Sequence, residues 1–238
     1  MLLTASLLLL AVAQSPAPAA ETFEMTVGGA PFGAEEFRRA EGPDGIALTG
    51  KVSLKIPGAG DTVLTQNLKL ARDGHPLSYA LEIDAPGQQV VLRATPSATG
   101  YVLSVTPKDP ATPASSADVT GKAPVYLLDN AFASHLDVLT RSLLPLGPGE
   151  ERLLTALVPQ VLRAIPGSVK RGADGKAALG GATVATRSYS LVVANVATEL
   201  IVRAGFLRPI TVANLRMSRR SSSSTARVST SARPRPRL

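Results

Sequence analysis

One pattern recurs from Thr22 to Val105: a short run alternating apolar and polar residues, then a turn. Phe23, Met25 and Val27 alternate before Gly28-Gly29. Ile46 and Leu48 follow Asp44-Gly45; Val52, Leu54 and Ile56 alternate with Lys51, Ser53 and Lys55 until Pro57-Gly58. Leu64, Leu68 and Leu70 share a parity ahead of Asp73-Gly74. Leu77, Tyr79, Leu81 and Ile83 end at Pro86-Gly87, and Val90, Leu92, Tyr101, Leu103 and Val105 continue the rhythm. A period of two puts one set of side chains on one sheet face, and DG, GG and PG pairs supply turn conformations. The pattern therefore predicts an antiparallel meander with one buried face.

The rhythm stops at Pro107. Lys108 to Lys122 is rich in Pro, Ala, Ser and Thr and reads as a loop. Beyond it, Phe132, Leu136, Leu139 and Leu143 recur at spacings of four, three and four, which predicts one amphipathic helix ending before Pro145. Asp129 is its expected N-cap. Leu136 is expected to face the sheet from mid-stripe, with Asp137, about 100° further round, in solvent. Strands are expected again over 153–158, 161–169, 183–194, 197–203 and 207–213, with turns at Asp174-Gly175 and Gly180-Gly181. The fold class is thus mainly β: a curved antiparallel sheet or half-barrel wrapped around one helix.

Both ends differ from this body. Leu2 to Val12 is an almost unbroken apolar run, followed by Ala11-Val12-Ala13 and Pro16-Ala17-Pro18-Ala19. It is shorter than the ~20 residues that span a bilayer, and reads as a secretory signal peptide over residues 1–19. It lacks the usual leading positive charge. Cleavage after Ala13 or Ala19 would start the mature chain near Glu21, in the periplasm or outside the cell. From Arg216 to Leu238 there are seven arginines and no acid. The whole chain has 25 Lys+Arg and 18 Asp+Glu, so without those seven the body is neutral. Residues 216–238 are expected to be a disordered tail, able at most to touch anionic surfaces; without stacking aromatics, no specific nucleic acid is implied. Residues 20–215 are expected to form a single domain.

Catalytic and metal chemistry finds little support. Cysteine is absent, which excludes disulfides, thiolate sites and a lipobox anchor. The two histidines, His75 and His135, are isolated from each other, so no metal or other cofactor is implied. His75 lies in the turn Asp73-Gly74-His75-Pro76 and reads as solvated. Ser134-His135 invites a nucleophile–base reading, but adjacent helix residues point apart and no Gly-x-Ser-x-Gly elbow exists. His135 reads instead as a residue at the edge of the apolar face. Glu35-Glu36 and Glu150-Glu151 read as surface charge, since strand neighbours face opposite ways.

The order of leader-like segment, meander, inserted helix and returning strands resembles the periplasmic lipoprotein-carrier half-barrels. It is also similar to uncharacterised exported bacterial proteins built on open barrels. The resemblance covers about Thr22 to Ala213, rests on element order, and carries over no functional residue. It implies a non-enzymatic protein with an apolar interior that holds a lipid or other hydrophobic small molecule. Tyr79, Leu81, Ile83, Tyr101, Leu103, Phe132, Leu136 and Leu139 are the candidate lining residues; a packed core is the competing reading for each. An envelope-assembly module that binds another protein by a sheet edge is a second expectation, and a hydrolase with a scattered site a third.

Overall fold

The computed structural model describes residues 20–27, 30–56, 60–122, 124–129, 132–179, 181–203 and 212–216. The expected signal peptide, nearly all of the Arg/Ser tail and residues 207–211 lie outside them. Among the described residues the fold is mainly β, with curved antiparallel sheets that do not close and one α-helix. It has two sheets, where the sequence pattern suggested one.

The first sheet is a meander of eight antiparallel strands in chain order: β1 (Glu21–Val27), β2 (Ala30–Gly42), β3 (Gly45–Ile56), β4 (Gly60–Leu70), β5 (Pro76–Ala85), β6 (Gln88–Pro96), β7 (Tyr101–Pro107) and β8 (Ser115–Val119). β8 corrects the expected loop over 108–122. It is an edge strand with exposed or half-exposed residues, so it carries no apolar alternation. The expected parity holds for Leu48, Val52, Leu64, Leu68, Leu70, Tyr79, Leu81, Leu92 and Leu103, which share one buried core with Phe23 and Phe37. Leu77, expected on the same face as Tyr79, is exposed because the β4–β5 register shifts beside it. Gly74 and Gly87 turn at positive φ as expected, but Asp174-Gly175, expected as a turn, runs on as extended strand with Gly175 paired opposite Thr186. Gly45 sits at φ +129°, and a Cβ there would collide with the Leu70 carbonyl oxygen.

The chain then forms β9 (Val125–Leu127), helix α1 (Ala133–Leu143) and β10 (Glu151–Val158). β9 and β10 pair in parallel, Val125 opposite Thr155, so α1 is a crossover. A 3₁₀ turn at Pro159–Val161 leads to β11 (Arg163–Leu179), β12 (Ala182–Val193), β13 (Val196–Arg203) and β14 (Val212–Arg216). These complete a six-stranded sheet of order β14-β13-β12-β11-β10-β9.

The helix belongs to both sheets. Phe132, Ala133 and Val138 enter the core of the first sheet. Leu139 and Leu143 enter a second core with Leu154, Val169, Tyr189 and Leu200. The expected stripe is therefore split between two partners. Leu136 is only half-buried against the second core, whereas Asp137 is buried, the reverse of expectation. The physical reason is that α1 is gripped from two sides, so its buried arc exceeds one leucine stripe and takes in Ser134, His135, Asp137 and Thr140.

Candidate binding cleft and the polar seam beside it

Beside the apolar contacts of Phe132 and Ala133, the N-terminal half of α1 meets the first sheet through polar side chains. Glu35 on β2 and Gln66 on β4 share their strands' inward parity with Phe37 and with Leu64 and Leu68. Both are buried, which corrects the reading of Glu35 as surface charge. Opposite Gln66 stands Gly50, where a Cβ would lie 2.9 Å from Gln66 Nε2. That missing side chain leaves room for the amide to reach the helix.

The hydrogen bonds form a directed chain. The Asp129 amide donates to His135 Nδ1 at 3.1 Å, so the ring proton belongs on Nε2, 2.6 Å from Gln66 Oε1. Gln66 Nε2 donates to Ser134 Oγ at 2.9 Å, and the Ser134 amide donates to Glu35 Oε2 at 3.1 Å. Tyr79 donates its hydroxyl to Asp129 Oδ2 at 2.7 Å and its ring meets His135 edge-on, while Phe132 stacks on the His135 ring at 5.3 Å. Asp129 is thus not the side-chain N-cap expected. Phe132 holds the cap position without a side-chain bond, and a carboxyl oxygen from β2 serves the first turn instead.

Burial dominates the titration of this seam. It raises the Glu35 pKa to about 7, against the pull of hydrogen bonding from Ser134 and Ala133. It lowers that of His135 to about 3 and drives that of Tyr79 well up, Asp129 adding to the latter. Asp137 is also raised by burial, with Arg141 and Arg39 acting the other way. Both ring nitrogens of His135 are engaged, with the Asp129 amide and Gln66 Oε1, and neither faces Ser134 Oγ within hydrogen-bond distance. Ser134 Oγ is itself an acceptor inside the seam.

Beside the seam a cleft of about 840 Å³ opens between the two sheets and α1. Ile46, Tyr101, Val125, Tyr126 and Val138 give it an apolar floor, and Arg39, Arg72, Arg141 and Arg152 line it with cations. Arg39 and Arg141 both reach Asp137 Oδ2, at 3.3 and 2.9 Å, and Arg39 also pairs with Glu41. His75 Nδ1 lies 2.6 Å from Asp73 Oδ1 and is exposed, as the turn suggested. A second concavity, of about 680 Å³, is lined mainly by hairpin-end residues such as Asp61, Asp84, Gly87 and Asp109. Among the described residues no group of three His, Asp or Glu could hold a metal ion.

Of the eight candidate lining residues, only Tyr101 faces the cleft. Tyr79, Leu81, Leu103 and Phe132 are packed in the first core, with Ile83 against it; Leu139 is in the second core and Leu136 packs on it. Side chains fill the concave face at these positions. The arginines of the cleft were not legible beforehand, because they come from four separate elements and share no sequence motif.

No protein-family model matches the chain, and no curated protein matches its sequence. Among solved structures, it is similar to a beta-barrel-like protein of domain of unknown function DUF1849 from Brucella abortus. The TM-score is 0.52 at 8% identity, over 91% of this chain and 95% of that one. At that identity the likeness concerns the fold: a weak barrel-like resemblance, not one to lipoprotein carriers in particular.

Proposed function

We propose that this chain is an exported, non-enzymatic protein that binds a lipid or other hydrophobic ligand. The observation that carries the reading is the cleft, whose apolar floor lies where two open sheets meet the helix. Its volume falls in the range of about 300–1,000 Å³ usual for small-molecule sites. The ligand site moves accordingly, from the concave face of the meander to the cleft mouth with Tyr101. The apolar leader supports export, and the saturated hydrogen bonding of His135 supports the absence of catalysis. Lipid carriage of the lipoprotein-carrier type is the finer form of the same reading.

The test uses a neutral apolar fluorophore, N-phenyl-1-naphthylamine, titrated with mature protein. A saturable fluorescence gain at one site per chain is expected. Ile46→Trp, which fills the floor with an indole, should abolish it while circular dichroism stays native. No gain, or a gain that Ile46→Trp leaves intact, overturns the proposal.

A further inference from the structure

We infer that the cleft selects ligands with an oxyanion head on an apolar body, and that Arg72 and Arg152 receive the head. This rests on the hydrophobic-ligand reading of the same cleft and names the class of ligand.

The charges facing the cleft are largely matched in pairs. Glu41 answers Arg39, the buried Asp137 answers Arg39 and Arg141, and the exposed Asp73 lies within hydrogen-bond distance of the His75 ring. Arg72 and Arg152 remain, and among the described residues neither makes an ion pair with a carboxylate. Each is tied by one hydrogen bond to a backbone carbonyl instead. Arg72 Nε donates to Pro43 O at 3.1 Å, and Arg152 Nη1 donates to Ser142 O at 3.0 Å.

A guanidinium offers five donors in a planar fork. One tether fixes the direction of the fork and leaves most of the donors unused. The two forks come from different sheets, Arg72 from the β4–β5 turn and Arg152 from β10, and both line a cleft with an apolar floor. Carboxylate and phosphate both match such a fork in charge and geometry. The cleft therefore concentrates uncompensated cations on a body whose sequence, without the tail, is neutral. A chain-like apolar group would lie on Ile46, Val125 and Tyr126, with its anionic end at the arginines.

Isothermal titration of the mature protein, below micellar concentrations, distinguishes the parts of this inference. The probes are decanoate, decyl phosphate, decanol and inorganic phosphate. Decanoate or decyl phosphate should bind at least roughly tenfold more tightly than decanol, a difference of about 1.4 kcal/mol. Whichever of the two binds more tightly identifies the head as carboxylate or phosphate. Arg72→Ala, at an exposed turn, and the Arg72→Ala/Arg152→Ala pair should bring the anionic probes down towards decanol and leave decanol unchanged. Arg93→Ala, at an exposed position on β6, should change neither. If decanol binds as well as the anions, or the arginine variants leave that difference intact, the oxyanion inference fails and the hydrophobic-ligand reading stands. Should inorganic phosphate bind as tightly as decyl phosphate, the apolar body plays no part and the inference also fails. If neither decanol nor the anions bind, both readings fail together.

Discussion

The two ends of α1 are held by opposite means. At its N-terminal end, the first sheet offers Glu35, Gln66 and Tyr79, and the contact is a buried hydrogen-bonded seam. At the C-terminal end, Leu139 and Leu143 sink into the apolar core of the second sheet. Cations from that sheet then close the helix end: Arg152, Arg187 and Arg171 donate to the carbonyls of Ser142, Leu144 and Leu146. The finish thus receives the guanidinium charge its dipole favours, while the start receives a carboxyl oxygen that burial biases towards the neutral acid. Apolar contact is tolerant of small shifts, whereas a polar seam is satisfied in one arrangement only. The first sheet adds directional hydrogen bonds to the apolar contacts of Phe132, Ala133 and Val138, and the second holds the helix by Leu139 and Leu143.

Leu143→Ala should have the largest effect, since the side chain is fully buried at the C-terminal end. A loss of roughly 2–5 kcal/mol is expected from transfer and cavity costs, read from the urea midpoint. A loss below about 1 kcal/mol would mean that the second core collapses around the gap and grips less firmly than described. Asp137→Ala comes next, at about 3 kcal/mol, because Arg39 and Arg141 lose a buried partner. Leu136→Asp, at a half-buried site, should cost less than Asp137→Ala; the opposite ranking in thermal melts would restore the leucine stripe as the helix's main contact.

The seam also has a pH signature. Glu35 is raised from 4.5 to about 7, so its contribution is complete below pH 4.5 and is lost as pH rises towards 7. His135 is lowered from 6.5 to about 3, so its contribution is complete above pH 6.5 and is lost as pH falls towards 3. From pH 4.5 to 6.5 the two slopes oppose, and the parent protein should be nearly flat. Glu35→Gln removes one of them, and stability should then rise with pH by up to about 1.4 kcal/mol per unit. Urea midpoints at pH 4.5, 5.5 and 6.5 measure the slope; an unchanged flat profile would show that Glu35 does not titrate there. The smallest effect is expected from Arg187→Ala, which removes one bond to Leu144 O and should cost about 1 kcal/mol in a thermal melt. No change there would leave the C-terminal grip to its leucines alone.

Much of this architecture was legible from alternation. The meander, its turns, the helix and most of the later strands follow from period and punctuation. β8 was missed because an exposed edge strand has no buried face to mark it. The seam was hidden for another reason. Gln66 interrupts the parity of Leu64, Leu68 and Leu70, and Glu35 shares that of Phe37, so both occupy inward positions that read as faults in the pattern. Polar residues on an apolar parity were the available signal. Their partner could not be read, because Ser134 is far along the chain from Glu35 and the bond exists only once α1 has crossed over.

The order of the strands also bears on how the chain reaches this state. Each strand of the meander pairs with its neighbour in sequence, so short loops close one at a time and each closure costs little entropy. The β9–β10 pair has no such local route, because the crossover must form before Val125 can lie beside Thr155. Low contact order favours early assembly of the first sheet, with its inward Glu35 and Gln66 still hydrated. Glu35 and Gln66 are shielded from water only with α1 docked over them, since their polar atoms bond Ser134 and His135 of the helix's first turn. The step that dries the seam is the same step that creates the walls of the cleft.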